Sequence, residues 1–170
     1  LRIQALMHTY YLREYVFNGE SEILIERLPD EYDYLVTVLH ESAYTGTEEV
    51  YHAVMNSYEL AKSGVLKTSL YNLKIIPLDL LGRRLVGAQV FLNDIETTSK
   101  DDGAVFQLVP TGNFSLRVNW MGKEVLNQWI WIGYHPTLNP SAVVPEYIPL
   151  TTEAGDLIVQ ASDAEGNPIG

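Results

Sequence analysis

The sequence predicts an all-β protein of short strands arranged as a sandwich or barrel, and three observations carry that prediction. Apolar residues recur at every second position through much of the chain, which is the period of a half-buried strand. Clusters of turn-forming residues separate these runs at short spacing. No long stretch repeats its apolar residues at helical spacing. Eleven Tyr and abundant Val and Ile point the same way, because aromatic and β-branched side chains pack well on a pleated surface.

Each run has a legible inner face. In "YDYLVTV" the residues Tyr32, Tyr34, Val36 and Val38 share one side. "LKIIPLD" places Leu73 and Ile75 together, with Pro77 tolerable only at an edge or a strand end, where its missing N–H is not needed. "AQVFLND" aligns Ala88, Val90 and Leu92, and "FSLRVNW" aligns Phe114, Leu116, Val118 and Trp120 against Ser115, Arg117 and Asn119. The turns fall between them at "NGES", "LPDE", "DLLGRR", "KDDG", "PTGN" and "AEGNP". "SYELAKSG" reads as a helical turn linking two units.

Laid against itself, the chain repeats. "LPDEYDYLVTV" matches "VPTGNFSLRVNW", so that Tyr32 pairs with Phe114, Tyr34 with Leu116, Val36 with Val118 and Val38 with Trp120, an offset of 82 residues (114 minus 32). "NGESEILIERLP" matches "DDGAVFQLVP". "LKIIPLDLLGRRLVG" matches "LIVQASDAEGNPIG", pairing Asp79 with Asp163 and Gly82 with Gly166 at an offset of 84 (163 minus 79), and Gly87 with Gly170 at 83 (170 minus 87), one residue shorter. The period is that of one small β domain. Residues 72–150 then read as a complete unit, residues 1–62 as a unit lacking its first strand, residues 63–71 as a linker, and residues 156–170 as a first strand and turn without the rest. In the complete unit Gly87 leads into "AQVFL", and "NPIG" joined to "LRIQALMH" would read the same way.

The residues Asp79, Gly82, Gly87, Ala88, Val90, Asp101, Gly103, Pro110, Gly112, Phe114, Leu116 and Val118 follow a pattern. An Asp-x-x-Gly turn precedes Gly-Ala-x-Val, then an Asp-x-Gly turn, an apolar strand and Pro-x-Gly-x-Phe-x-Leu-x-Val. This pattern resembles the carboxypeptidase regulatory-like and related immunoglobulin-like repeats of surface proteins. It covers about fifty residues well, with echoes at both chain ends. Its physical content stands without the family: Gly supplies positive φ in turns, and alternating Ala and Val build a thin inner face. The resemblance implies seven-strand β-sandwiches in tandem, one complete and one split between the two chain ends. It also implies a secreted or cell-surface setting, with the domain acting as a spacer, an adhesive module or an assembly unit.

Composition excludes some partners. The net charge of −11, from 22 acidic and 11 basic side chains, argues against nucleic acid and against an anionic membrane surface, both of which need Lys and Arg. With no Cys there is neither a disulfide framework nor a thiolate metal site. No apolar run approaches the roughly 20 residues of a membrane span. "LRIQALMH" lacks the succession of a signal peptide, so the signal of a secreted protein would have been removed or lie outside this sequence.

Little in the sequence points to catalysis. His8, His40, His52 and His135 fit no zinc-ligand spacing, and neither a nucleophile elbow nor a phosphate loop is present. Asp163, Glu165 and Asn167 alternate as in a calcium loop but lack its later Glu, and Asp101 with Asp102 offers a weak cation site; a plain turn is the stronger reading of both. No catalytic, metal or cofactor residue is expected, and the chain is not expected to be an enzyme.

Three features remain. Trp129 and Trp131 share one face of "VLNQWIWIGY" while Ile130 and Ile132 share the other, so both faces of that strand are apolar and one needs a cover. The cover could be a loop, a neighbouring domain, another subunit or a stacked sugar. Asn113 opens the chain's Asn-x-Ser sequon, a candidate for N-glycosylation. Leu157, Val159 and Ala161 line one side of the final strand and match Leu73, Ile75 and Pro77.

The expected function is that of a structural subunit or repeat of an extracellular filament, stalk or surface layer whose partners are copies of itself, end to end. The join is either strand complementation between chains or a covalent tandem array. The alternative is a monomeric adhesion or carbohydrate-binding module with cell-surface glycans as partners. A third reading, an accessory domain, requires a catalytic domain elsewhere.

Overall fold

A computed structural model describes residues 1–6, 12–16, 28–29, 32–63, 65–138 and 147–156. Strands dominate them. The N-terminal sheet contains β1 (Arg2–Ala5), β2 (Leu12–Glu14), β3 (Asp33–Ser42) and β4 (Gly46–Asn56), in the antiparallel order β2-β1-β3-β4. Period-two alternation sends Ile3, Ala5, Tyr34 and Val36 into an apolar cluster where they are fully buried. Tyr32, Tyr51, Met55, Leu60 and Leu66 pack partly buried around them.

The stretch read as a helical turn is α1 (Ser57–Ser63). A reciprocal cap starts it: the Glu59 amide donates to Asn56 Oδ1 at 2.8 Å, and the Asn56 amide donates to Glu59 Oε2 at 3.1 Å. β5 (Leu70–Leu78) follows, its first two residues falling within the stretch 63–71.

After β5 come β6 (Gln89–Leu92), β7 (Ile95–Thr98), β8 (Ala104–Pro110), β9 (Gly112–Trp120), β10 (Lys123–Ile132) and β11 (Tyr147–Thr151). They form two sheets, β10-β9-β6-β7 and β11-β5-β8, with β11 parallel to β5. Both sheets feed one core of Leu73, Ile75, Val90, Leu92, Phe106, Phe114, Leu116, Val118 and Ile132, all buried. Of the inner faces read from the alternation, Leu73, Ile75, Pro77, Ala88, Val90, Leu92, Phe114, Leu116 and Val118 are buried here. Tyr34 and Val36 are buried in the N-terminal sheet, while Tyr32, Val38 and Trp120 are half-buried. Pro77 sits near the lower end of β5, past its last pairing with β8 at Ile75, as its missing N–H requires. β9 runs from Gly112 at what we term the upper end of this two-layer body to Trp120 at its lower end, nine residues or about 30 Å.

The two four-stranded sheets repeat one another in geometry. The order β2-β1-β3-β4 corresponds to β7-β6-β9-β10. Ile3 faces Val36 and Ala5 faces Tyr34 in the first; Val90 faces Val118 and Leu92 faces Leu116 in the second. Even the hydrogen bond beyond the strand end recurs, from the Leu6 amide to Asp33 O and from the Asn93 amide to Ser115 O, 2.9 and 2.8 Å. The β3–β4 hairpin is the longer one: its pairing extends to Ser42 and Gly46, whereas β9–β10 closes at Trp120 and Lys123.

Candidate functional site

At the lower end, the Asp-x-x-Gly turn is built around one carboxylate. Asp79 is almost fully buried. Its Oδ1 accepts from the amides of Leu81 (2.9 Å) and Arg83 (2.8 Å), and its Oδ2 accepts from Arg83 Nε at 2.7 Å. Burial by itself would raise this carboxyl. The Arg83 amide and guanidinium and the Leu81 amide outweigh that, and its pKa lies below the ordinary carboxylate value. Gly82 completes the turn at φ 78°, a conformation Gly adopts without strain. The same guanidinium reaches Asp156 Oδ2 at 2.5 Å, fastening residue 156 to the turn. Around them lies an open crevice of about 380 Å³ bordered by Leu85, Trp120, Met121, Glu153 and Gly155 among others.

On the outer face of the β10-β9-β6-β7 sheet, Trp129 and Trp131 stand side by side as their spacing requires. Trp129 is 68% exposed. Trp131 is half-buried; its indole Nε1 donates to Tyr134 O at 3.2 Å and its ring meets His135 edge-on at 4.5 Å. Ile132, on the opposite face, enters the core. Asn113, Ser115 and Arg117 stand across from Trp131, Trp129 and Asn127 on β9. Arg117 lies over the Phe91 ring at 5.1 Å. The strip is therefore aromatic in β10 and polar in β9. Asn113 is exposed in the second position of β9.

A third feature joins the two sheet systems. The turn at the tip of β3–β4 inserts Tyr44 against the upper end of the two-layer core, edge-on to Phe114 at 6.3 Å and tilted on Phe106 at 6.4 Å. Its hydroxyl donates to Gln107 O at 3.3 Å, and its carbonyl accepts from Asn93 Nδ2 at 3.2 Å. Asn93 Oδ1 accepts from the Ser115 amide, so one side chain ties the tip to β9. Burial raises the Tyr44 phenol above its ordinary pKa. Sequence reasoning passed over Tyr44; the signal was the unremarked turn "AYTG" between two strands.

The other candidates take structural positions. Asp102 pairs with Lys74 Nζ at 2.8 Å, and that bond and charge lower its pKa. His52 lies 3.2 Å from Glu49, and His135 Nδ1 accepts the amides of Thr137 and Leu138. His40 is a half-buried residue of β3. Among the described residues no group of three His, Asp or Glu is placed to hold a metal ion, and no helix is long and apolar enough to cross a membrane. Leu157, Val159 and Ala161 lie outside the described residues, as do His8, Asp163, Glu165 and Asn167.

Comparison with family models, with curated proteins and with solved structures finds no match to this chain.

Proposed function

We propose that this chain is a structural repeat protein of an extracellular filament, stalk or surface layer, built of tandem immunoglobulin-like units joined end to end. Residues 156–170, which repeat the β5 strand and its Asp79 turn in sequence, supply the first strand of a following unit or of a neighbouring subunit. The observation that carries this reading is the geometric repetition of the two four-stranded sheets: same strand order, same facing residues, same terminal hydrogen bond. The seven strands and two layers that follow α1 agree with what the motif resemblance implies. Stacked units of this kind protect their sheet edges and distribute load along the chain.

Intact mass of the native material tests the covalent form of the join, since a subunit of 19.2 kDa and a giant repeat chain differ beyond confusion. Val159→Asp tests the strand itself. A buried Val contributes about 1.5–3 kcal/mol, and an unpaired carboxylate in its place costs more. End-to-end assemblies seen by electron microscopy should shorten to isolated particles. Filaments of undiminished length in the variant would sink the strand-supply idea.

The exposure of Trp129 beside Asn113, Ser115 and Asn127 favours a second reading, an adhesion module that stacks sugar rings on this strip. Titration with oligosaccharides, followed by Trp fluorescence, separates the two. Saturable quenching lost in Trp129→Ala would favour the module.

A further inference from the structure

We propose that the lower end of the two-layer body is a docking surface for the N-terminal sheet of another copy of this chain. The contact is made at the end of that sheet marked by Leu6 and Asp33, termed its upper end, the Ser42–Gly46 tip being its lower end. The inference rests on the tandem reading above and goes beyond it, because it assigns the contact between successive units to side chains outside the shared strand.

The surface is unusual for two tight turns. Leu80 is 63% exposed, Leu81 70% and Met121 85%, and Val86 is exposed beside them. Turns that face only water are normally polar, since nothing repays the exposure of several large apolar side chains together. These residues belong to one end of the body. The Leu80 amide donates to Ala154 O at 2.8 Å, and Met121, Asp79, Gly155 and Asp156 border a single crevice.

The occupant is indicated by two observations. Asp156 lies at this end, paired with Arg83 of the Asp79 turn, so under the tandem reading the succeeding unit begins here. The chain also contains one finished example of such a junction, in which the lower tip of the N-terminal sheet covers the upper end of the two-layer body through Tyr44. Continuing the same succession brings the lower end of the body against the upper end of a following N-terminal sheet.

The residues at the two upper ends differ in the sense this requires. Asn93, which reaches the Tyr44 carbonyl in the finished junction, has Leu6 as its counterpart, with the same backbone hydrogen bond and a half-exposed apolar side chain. A polar upper end thus meets a carbonyl, and an apolar upper end would meet Leu81 and Met121. The shorter β9–β10 tip cannot project a ring as far as β3–β4 does, and Leu80 and Leu81 of the Asp79 turn stand exposed at that end instead.

The test uses two full chains in tandem, Gly170 followed by Leu1, compared with the single chain. Hydroxyl-radical labelling reads the side chain of Met121, and hydrogen exchange reads the amides of residues 157–170 at the join. One of the two Met121 residues should oxidise about tenfold more slowly than in the single chain, since thioether oxidation follows exposure. Leu6→Asp in the second copy should restore fast oxidation. Protected strand amides with both Met121 residues fully reactive would overturn the docking surface and leave the tandem reading standing. Unprotected strand amides would overturn the tandem reading and this surface with it.

Discussion

Tyr44→Ala should loosen the junction between the N-terminal sheet and the two-layer body, by an amount that follows from its contacts. The ring makes an edge contact with Phe114 and a tilted one with Phe106, and such pairs contribute about 0.5–1.5 kcal/mol each. The hydroxyl bond to Gln107 is long and exposed, and belongs at the low end of a hydrogen bond's net worth, about 0.5 kcal/mol. The bonds to the Tyr44 carbonyl and amide involve the backbone and survive the substitution. The total is about 1.5–3.5 kcal/mol, centred below the 3–5 kcal/mol of a fully buried aromatic, as suits a half-buried ring. Tyr44→Phe should cost only about 0.5 kcal/mol.

Urea denaturation followed by Trp fluorescence measures both, because the three Trp residues all lie in β9 and β10. The phenol adds a pH signature. Its folded pKa is raised, so its contribution is complete below the ordinary value of 10.0 and disappears as pH climbs through the folded value. Stability of the wild type should therefore fall in strongly alkaline solution by a component that Tyr44→Phe lacks. A Tyr44→Ala variant within 0.5 kcal/mol of wild type would refute the reasoning, because two ring contacts cannot vanish at no cost.

Three further outcomes are expected. Phe114→Ala should cost about 3–5 kcal/mol in the same denaturation experiment and Tyr32→Ala less, because Phe114 is fully buried whereas its repeat counterpart Tyr32 is half-buried. Asp79→Ala should lower the melting temperature more than Asp102→Ala, since it strands the amides of Leu81 and Arg83, and calorimetry of the two variants ranks them. Because both carboxyls are depressed in the folded chain, their contribution is present above the ordinary value of 3.8 and is lost as pH falls through the folded values; acid melts of wild type and variants should converge there. Gly103→Ala should destabilise by at least about 1–3 kcal/mol, as a Cβ at φ 108° would stand 2.8 Å from Ile75 O, and a neutral thermal melt would contradict that.

Much of the fold could be read locally. A strand's inner face depends only on the pleat, so Ala88, Val90, Leu92, Phe114, Leu116 and Val118 were assignable from alternation, and all are buried. The internal repeat was equally legible, because equivalent core slots accept only similar side chains: Val36 and Val118 are one slot, Tyr34 and Leu116 another. The placing of Trp129 and Trp131 on one face also followed from period two, but whether that face was covered did not. Exposure depends on what folds over a strand, and 68% exposure of Trp129 is a fact of the assembled sheet.

Other features are contacts between residues far apart in the chain, on which no local pattern bears. Tyr44 and Phe114 meet because the β3–β4 arm is long enough to reach the upper end of the body, a consequence of where its turn falls. Arg83 bridges Asp79 and Asp156 because β11, parallel to β5, returns the chain to the Asp79 turn. Period and turn chemistry determined which residues go inside and where the chain reverses. Only the tertiary structure decided which turns meet, because that depends on strand pairings made across the whole length of the fold.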